Sequence, residues 1–536
     1  MGIFNRAKPQ PQPGDANVDR VDRVKAEQRI TFAACMLGLV ASVGGFMFGY
    51  VSGQISGFFL MQDYINRFGD PNASDEPFSA ARQGTIVGLL SVGCLFGCLL
   101  AGKMADVIGR RLTISAAALF SLVGITIQIS SDTAWYQFAI GRLVDGVGIG
   151  ALSVAVPMYQ SESSPAIIRG VIVAMYQLFV TFGIWFAEIV NFGTESMDSS
   201  ASWRIPNGLG YLWALVLGAG ILLLPESPRF AFLQGREDEA RATIARLAGV
   251  DPHSESVNIE IDEIRAKVDE DRQGAEARWY EVFTAPRMLY RMMLGICLQS
   301  GQQLTGANFF FYFGTTVFRA TGLSNSYVTQ LILGSVNVVC TFGGLYVVKK
   351  AGRRNALIVG ALWMMMCFLV YAFVGHFKLD MNDPMASPQA GAVLVAFSCL
   401  FIAGFATTWG PLVWAVVAEL YPARHRSTAM GIATASNWLW NFLISFFTRF
   451  IVDAIDYLYG LVFAVCCLAL AIIVFFFLNE SKDRTLEEID TMYLTRVNPI
   501  TSSKWEGEQT HHHHKENASS PVLGADRTGS SDSTQV

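Results

Sequence analysis

The chain of 536 residues is 52% hydrophobic and only 15% charged, and its mean hydropathy is +0.37. This composition excludes an ordinary soluble domain and predicts a protein that crosses a membrane several times. The formal net charge is −5 and no long basic stripe accompanies it, so the sequence argues against nucleic-acid binding. All nine cysteines fall in apolar segments, which indicates neither a disulfide framework nor a zinc site.

Twelve apolar segments are long enough to cross a hydrocarbon core of about 30 Å, which needs roughly 20 helical residues. The first follows a charged, proline-containing leader and is too long for the core of a signal peptide, so we expect it to be retained. The sequence therefore predicts an all-α membrane protein with twelve transmembrane helices in two six-helix halves. The segments are 31–58, 84–104, 112–130, 136–158, 171–191, 207–224, 291–318, 327–348, 355–375, 391–417, 428–452 and 457–478.

The segments divide the chain into five parts. The linker between the halves has charged residues at helical spacing and an apolar face, so we predict short amphipathic cytoplasmic helices rather than a disordered connection. The tail is polar, and we interpret His511 to His514 as a dispensable tract rather than a metal site. The parts are a cytoplasmic N-terminal arm at 1–29, the first half at 30–224, the linker at 225–290, the second half at 291–478 and a cytoplasmic tail at 479–536.

The charges of the short loops predict the orientation of the chain. An even number of spans puts both termini on one side, and the positive-inside rule makes the side with the basic loops cytoplasmic. The loop after the first span then faces outward, and it contains Asn72-Ala73-Ser74, a glycosylation sequon. The basic residues of the inner loops are Lys103, Arg110, Arg111, Lys349, Lys350, Arg353, Arg354, Arg424 and Arg426.

The two halves carry the same short motifs in the same order, which indicates an internal duplication. A parallel duplication would enclose a site between the halves near the middle of the membrane. The repeats are Gly109-Arg110-Arg111 with Gly352-Arg353-Arg354, and Glu162, Pro165 and Arg169 with Glu419, Pro422 and Arg426.

The repeated charges lie at the cytoplasmic ends of the spans. The positive-inside rule accounts for the arginines but not for the regularly spaced carboxylates, so we predict ion pairs across the gap between the halves. Such pairs would latch the inner face while the cavity opens outward. The carboxylates are Asp106, Glu162 and Glu419, and their expected partners are Arg110, Arg169, Arg353 and Arg426.

The stretch from Gln302 to Tyr312 places three amides inside an apolar span. Unsatisfied polar groups in a bilayer cost several kcal/mol, so these amides either bond neighbouring helices or face a cavity. Each amide offers two N–H donors and one acceptor, which suits a neutral ligand covered in hydroxyls. A lone amide usually joins helices, but Gln302, Gln303 and Asn308 lie within seven residues around Gly306, which favours a binding site.

These motifs together resemble the sugar porter family of the major facilitator superfamily, and most closely its fungal hexose transporters. The resemblance covers roughly residues 30 to 490. The motifs are Gly102 to Arg111, Gly141-Arg142 with Gly146, Gly148 and Gly150, Pro157 to Gly170, Pro225 to Arg229, Gln302 to Tyr312, Gly410-Pro411 with Trp414, Glu480-Ser481-Lys482 and Thr485 to Glu488.

The resemblance implies uptake of a hexose, most readily glucose, across a plasma membrane by alternating access, with no cofactor and no enzymatic activity. The transport unit is expected to be a monomer in the lipid bilayer. For Trp414 alone, an interfacial anchor is the usual interpretation of a membrane tryptophan, whereas the resemblance implies stacking on the sugar ring. The implied sugar-binding residues are Gln177, Gln302, Gln303, Asn308, Asn337, Trp414 and Asn437.

Departures from the family pattern bear on the mechanism. Val51 stands where proton-coupled relatives carry the aspartate that pairs with Arg142, a residue we count with the gating residues. Valine cannot bind a proton, and Asp145 and Glu188 are weak substitutes, so facilitated diffusion is favoured over proton symport. Lys349 and Val413 also depart from the pattern, which leaves open a transporter-like sugar sensor.

Overall fold

The structure is a computed structural model, and the residues that it describes form helices and no β-strand. The glycosylation sequon at Asn72 lies outside them, as does the histidine tract His511 to His514. The described residues are 29–70, 77–165, 168–273, 280–319, 325–379, 387–422, 425–482, 484 and 486–505.

The described residues of the first half and the linker form eleven helices. Six of them are the predicted spans, α2 is a short helix after the first span, and α8 to α11 form the predicted helical linker. These helices are α1 (Phe32–Phe58), α2 (Gln62–Phe68), α3 (Ala80–Ile108), α4 (Arg110–Ile129), α5 (Trp135–Ser163), α6 (Arg169–Thr194), α7 (Ala201–Leu222), α8 (Pro228–Leu233), α9 (Glu237–Ala248), α10 (Glu255–Gln273) and α11 (Glu281–Thr284).

The described residues of the second half form eight helices, because two of its six spans are broken, and α20 follows in the tail. Helices α12 and α13 form the seventh span, and α16 and α17 form the tenth. The helices are α12 (Met288–Leu304), α13 (Ala307–Arg319), α14 (Ser326–Lys350), α15 (Arg353–Phe377), α16 (Pro388–Thr407), α17 (Trp409–Leu420), α18 (Arg426–Ile455), α19 (Tyr459–Phe477) and α20 (Leu486–Leu494).

Within the part of the chain that the structure describes, ten helical stretches are long and apolar enough to cross a membrane. One of them, Thr428–Phe477, contains two spans, α18 and α19, which are separated by a short 3₁₀ turn at Asp456–Leu458. The broken seventh span, α12 with α13, supplies the remaining crossing. The prediction of twelve transmembrane helices is therefore confirmed.

Gly306 explains the break in the seventh span. Its φ of +89° is a backbone conformation that side chains with a Cβ rarely adopt. A Cβ at this position would also lie 2.7 Å from the ring of Phe463 and 2.9 Å from that of Phe368. The glycine thus lets α12 end and α13 begin against the packed aromatic core of the second half.

The two ends of the molecule differ in how the halves meet. We call the end that carries α8, α9 and α10 the linker face; α1 begins there, because the Thr31 hydroxyl donates to the Leu247 carbonyl at 2.7 Å. The other end, where α1 ends beside α2, is called the opposite face. There a buried aromatic cluster joins the halves, with Phe58 and Phe59 from the first half and Tyr312 and Phe313 from the second.

Helices α3 and α18 show which face is open. Near the opposite face, a Cβ on Gly84 would lie 2.5 Å from the Phe446 carbonyl oxygen, so the two backbones are in close contact. Near the linker face, a Cβ on Gly102 of α3 or on Gly431 of α18 would meet no atom within 4 Å. The halves are therefore closed together at the opposite face and separated at the linker face.

Candidate functional site

Gln302 and Gln303 lie at the end of α12, just before the break at Gly306, and both are buried. The Gln302 side-chain amide donates to the carbonyls of Trp409 and Gly410, each at 3.0 Å, where the tenth span is broken. These carbonyls belong to the first turn of α17, so Gln302 adds two hydrogen bonds at the start of the second helix of that span. This amide therefore joins two broken spans as well as facing the space between them.

Gln303 bonds to side chains instead of backbone. Its amide N–H donates to the Asn437 Oδ1 at 2.8 Å, and its Oε1 accepts a hydrogen bond from Asn308. Asn437 in turn donates to the Oε1 atoms of Gln299 at 2.9 Å and Gln302 at 3.0 Å. The three amides that the sequence singled out thus form one network with Asn437 of α18.

Two members of this amide network were not predicted, Gln299 and Asn441. Asn441 Nδ2 donates to the Gln303 Oε1 at 3.3 Å, and both residues are buried. Each lies one helical turn from a predicted residue, Gln299 before Gln303 and Asn441 after Asn437, so helical spacing of amides is the signal that could have found them.

The remaining predicted sugar-binding residues are not hydrogen-bonded to this network among the described residues. Gln177 of α6 is partly buried, and Asn337 of α14 is buried. Their two helices pack together between the halves, where the Trp185 indole donates to the Ser335 hydroxyl at 2.9 Å. Trp414 of α17 is partly buried, which leaves part of its ring surface uncovered.

The two carboxylates considered for proton coupling are both buried. Glu188 of α6 lies between the halves near the opposite face and accepts a hydrogen bond from Gln330 of α14 at 3.1 Å. Asp145 lies one turn from Arg142 on α5 and accepts from Gln128 at 3.4 Å. The Arg142 guanidinium makes no hydrogen bond to the described residues, although its side chain is completely buried.

The predicted gating charges pair within each half in this conformation. Arg110 pairs with Glu162 at 2.9 Å and with Asp106 at 3.3 Å, all in the first half. Arg353 pairs with Glu419 at 3.3 Å in the second half. The linker face is open here, so ion pairs across the gap remain a prediction for the conformation that closes it.

Two further gating residues complete this set. Arg169, at the start of α6, pairs with Glu260 of α10 in the linker at 3.1 Å instead of with the second half. Burial raises the pKa of Glu260, and Arg169 opposes that rise. Arg426 begins α18, and its side chain lies outside the described part of the chain.

Each half also has a second carboxylate that caps a helix. Glu226 accepts hydrogen bonds from the backbone N–H groups of Arg110 and Arg111 at the start of α4, at 3.1 and 3.3 Å. The next residue, Ser227, donates to Glu162, so the cap and the ion pair form one cluster. We call this the first charge cluster.

The second half repeats the arrangement. Glu480 accepts from the backbone N–H groups of Arg353 and Arg354 at 2.7 and 3.3 Å, and Ser481 donates to Glu419 at 2.6 Å. We call this the second charge cluster. The sequence contains Glu226-Ser227 in one cluster and Glu480-Ser481 in the other, but it does not indicate that the two glutamates cap α4 and α15.

Comparisons with known proteins agree with this architecture. A family model described as "Sugar (and other) transporter" matches residues 37–493. The high-affinity glucose transporter ght2 of Schizosaccharomyces pombe is 42% identical over 477 residues, which cover 88% of this chain and 90% of that protein. The low-affinity glucose transporter HXT3 of Saccharomyces cerevisiae is 42% identical over 480 residues, covering 89% and 84%. The high-affinity fructose transporter ght6 of Schizosaccharomyces pombe is 43% identical over 470 residues, covering 87% and 88%.

Solved structures with the same fold include the major facilitator superfamily proton:xylose symporter XylE bound to 6-bromo-6-deoxy-D-glucose. It is 25% identical, with a TM-score of 0.72, and the alignment covers 87% of this chain and all of that chain. The predicted resemblance is thus confirmed, as is the expectation of a transporter rather than an enzyme. The chain belongs to the sugar transporter family, and its fold is that of the major facilitator superfamily.

Proposed function

We propose that this protein carries hexoses, with D-glucose as the principal substrate, across the plasma membrane by facilitated diffusion. The observation that carries the proposal is the buried amide network of Gln302, Gln303, Asn308 and Asn437 between the two halves. The names of the relatives, which are glucose, fructose and hexose transporters, support a hexose.

The chemistry of the network suits a neutral sugar. The amides bond to one another, so the side-chain nitrogen and oxygen atoms of Gln303 and Asn437 have hydrogen-bond partners and avoid the desolvation cost of unpaired polar groups. A sugar hydroxyl both donates and accepts hydrogen bonds. A bond between two amides can therefore be replaced by a bond from an amide to the sugar with little change in free energy. We therefore propose that binding is reversible and weak enough for rapid release, with the partly uncovered Trp414 supplying apolar contact to the ring.

The separation at the linker face supports transport by alternating access. The positive-inside rule makes this face cytoplasmic, because it carries Arg110, Arg111, Arg353 and Arg354. The conformation is then open to the cytoplasm and closed to the outside. We propose that the reverse conformation closes the linker face with ion pairs between the halves, and that one chain, which contains both halves, is the transport unit.

The absence of a carboxylate in the first span supports facilitated diffusion. Val51 is buried, with 3% of its surface exposed, and it offers no group that could bind a proton between the halves. Asp145 is fixed on the same helix as Arg142, so movement of the halves does not have to change their distance. Glu188, which does lie between the halves, accepts a hydrogen bond from Gln330, and we propose that it has a structural role there rather than a role in proton coupling. A sugar gradient alone then drives net transport.

Uptake of radiolabelled D-glucose into a host that lacks its own hexose carriers tests this proposal. We expect saturable uptake that equilibrates with the outside concentration and is unaffected by a protonophore. Gln303→Ala should abolish most of it at equal surface amount. Accumulation above the outside concentration would refute facilitated diffusion, and absence of hexose uptake by surface-expressed protein would refute the transporter proposal.

A further inference from the structure

One hydrogen bond joins the amide network directly to the first half. The Ser91 hydroxyl of α3 donates to the Asn441 Oδ1 of α18 at 2.6 Å, and each residue exposes only 1% of its surface. Among the described residues, every other hydrogen bond of the amide network stays within the second half. This bond therefore connects the amide network directly to the first half.

The orientation of the Asn441 amide is determined by its neighbours. Its Oδ1 also accepts from the Tyr312 hydroxyl at 3.3 Å, and its Nδ2 donates to the Gln303 Oε1 at 3.3 Å. Ser91, Asn441 and Gln303 thus form a chain of hydrogen bonds in which the first member belongs to the other half. If Ser91 moves away, the amide loses the shortest bond to its oxygen.

The position of this bond along α3 and α18 gives it a mechanical role. The two helices touch closely from Gly84 to Gly88, where added Cβ atoms would lie 2.5 Å from Phe446 and 3.0 Å from Phe442. Ser91 lies one turn further toward the open linker face. Opening the opposite face requires α3 and α18 to separate here, and this separation breaks the bond between Ser91 and Asn441.

We propose that Asn441 is a positioning residue that couples sugar bound at Gln303 to closure of the opposite face. With that face closed, Ser91 holds the Asn441 amide so that its N–H groups point at Gln303 and orient the Gln303 oxygen for a sugar hydroxyl. Bound sugar then stabilises the closed conformation of the opposite face, because opening that face would disorder Gln303, which binds the sugar. The inference rests on the proposed function, since it assigns a role within the same site.

The expected effect follows from linkage. A ligand shifts a conformational equilibrium only through its different affinity for the two states, and the shift is reciprocal. The net free energy of one hydrogen bond between uncharged groups changes an equilibrium constant by about two- to tenfold. Loss of the Ser91 hydroxyl should therefore raise the fraction of molecules open at the opposite face by about this factor.

The experiment measures that fraction with a cysteine at the closed face. Ser56 is buried there, 2.9 Å from Thr315 of the other half, so Ser56→Cys should react with a membrane-impermeant maleimide only when this face opens. Ser91→Ala in this background should speed labelling about two- to tenfold. Ser445→Ala is the matched control, because the Ser445 hydroxyl contacts the same Asn441 oxygen at 3.4 Å but lies in the second half.

D-glucose is the probe for coupling, with L-glucose as the control sugar. D-glucose should slow labelling of the Ser56→Cys parent and of Ser445→Ala, and it should slow labelling of Ser91→Ala much less. Ser91→Thr keeps a hydroxyl and should behave as the parent, which separates a lost bond from misfolding.

Three results with the variants would overturn the inference. These are unchanged labelling of Ser91→Ala, equal acceleration by Ser445→Ala, or an undiminished effect of D-glucose on Ser91→Ala. If the protein transports D-glucose but the sugar leaves labelling of the parent unchanged, the inference fails and the proposed function stands. If the protein transports no hexose, the proposed function fails, and the coupling inference falls with it.

Discussion

At the scale of single residues, neighbouring glutamines have different surroundings. Gln302 donates to the backbone carbonyls of Trp409 and Gly410, whereas Gln303, among the described residues, bonds to side chains, which can rearrange around a ligand. Each hydrogen bond from the buried Gln302 amide to the backbone contributes about 0.5–1.5 kcal/mol net. The two residues should therefore respond differently to the same substitution, although the sequence shows them as an identical pair.

We expect Gln303→Ala to weaken D-glucose binding about tenfold without lowering the amount of folded protein, because it removes two bonds to the sugar worth about 1.4 kcal/mol together. Gln302→Ala should weaken binding and also lower the midpoint of thermal unfolding in detergent. Gln137→Ala is the control, since this amide lies outside the network and bonds to Ser130. Equal unfolding midpoints for both site variants would contradict the distinction.

Two tryptophans of the tenth span provide a second comparison. Trp409 is completely buried, and its indole donates to the Leu357 carbonyl at 2.9 Å, so it belongs to the core. Trp414 remains partly exposed. Truncating a buried tryptophan costs about 3–5 kcal/mol, so Trp409→Ala should destabilise the fold by this amount.

Trp414→Ala should instead reduce sugar affinity while leaving the midpoint of thermal unfolding within about 2 °C of the unsubstituted protein, because a partly exposed side chain adds less to the free energy of unfolding. Tryptophan fluorescence during D-glucose titration and a melting curve measure the two effects. A Trp414→Ala variant with unchanged sugar affinity would remove this residue from the site.

Some residues of the amide network and its contacts could be predicted from the sequence and others could not, for a physical reason. Amides in an apolar span are costly, so the sequence itself pointed to Gln302, Gln303 and Asn308, and the family resemblance added Asn437. Ser91 could not be predicted, because a hydroxyl inside a helix can bond its own backbone and so needs no partner. Its actual partner, Asn441, is 350 residues away, and only the packing of α3 on α18 brings the two together.

At the scale of elements, the duplicated charge clusters join each cap to an ion pair. Glu226 caps α4 while Ser227 bonds to Glu162, and Glu480 caps α15 in the same way. Because each cluster lies within one half, each half can move as a rigid body without breaking it. The ion pairs proposed for the closed linker face would then be added to these clusters, not exchanged for them.

Glu226→Ala tests the capping role. The substitution leaves the first N–H groups of α4 without acceptors, so we expect a loss of about 1–3 kcal/mol in the free energy of unfolding, measured by thermal melting in detergent. Glu480→Ala should have a similar and additive effect, since the two clusters are far apart. Glu239→Ala is the control, because its ion pair with Arg236 is exposed. A melting midpoint of Glu226→Ala equal to that of the control would refute the cap.

Glu162→Gln tests the latch. Neutralising this residue weakens the first charge cluster and removes a carboxylate from the linker face, so it should change the ratio of sugar exchange to net uptake by shifting the balance between the two conformations. The effect should correspond to a few kcal/mol at most. If exchange and net uptake both match those of the unsubstituted protein, Glu162 has no part in gating.

At the scale of the whole molecule, the length of the apolar segments predicted twelve spans because the bilayer imposes that length. The breaks at Gly306 and Thr408 were not predicted as helix ends, since both spans remain apolar on either side of them. The sequence also could not predict which conformation the structure shows, because the same residues must form both the open and the closed linker face. Contacts such as the one at Gly84, together with the open space at Gly102, show which conformation this is.

The central claim is that a hexose crosses between the halves by alternating exposure of the amide network, without an ion gradient. Counterflow in proteoliposomes tests it most directly: vesicles loaded with unlabelled D-glucose are diluted into a trace of labelled sugar. We predict a transient accumulation of label with no proton gradient, and its loss in Gln303→Ala. Label that binds the protein without entering, or that accumulates only under an imposed proton gradient, would contradict the account.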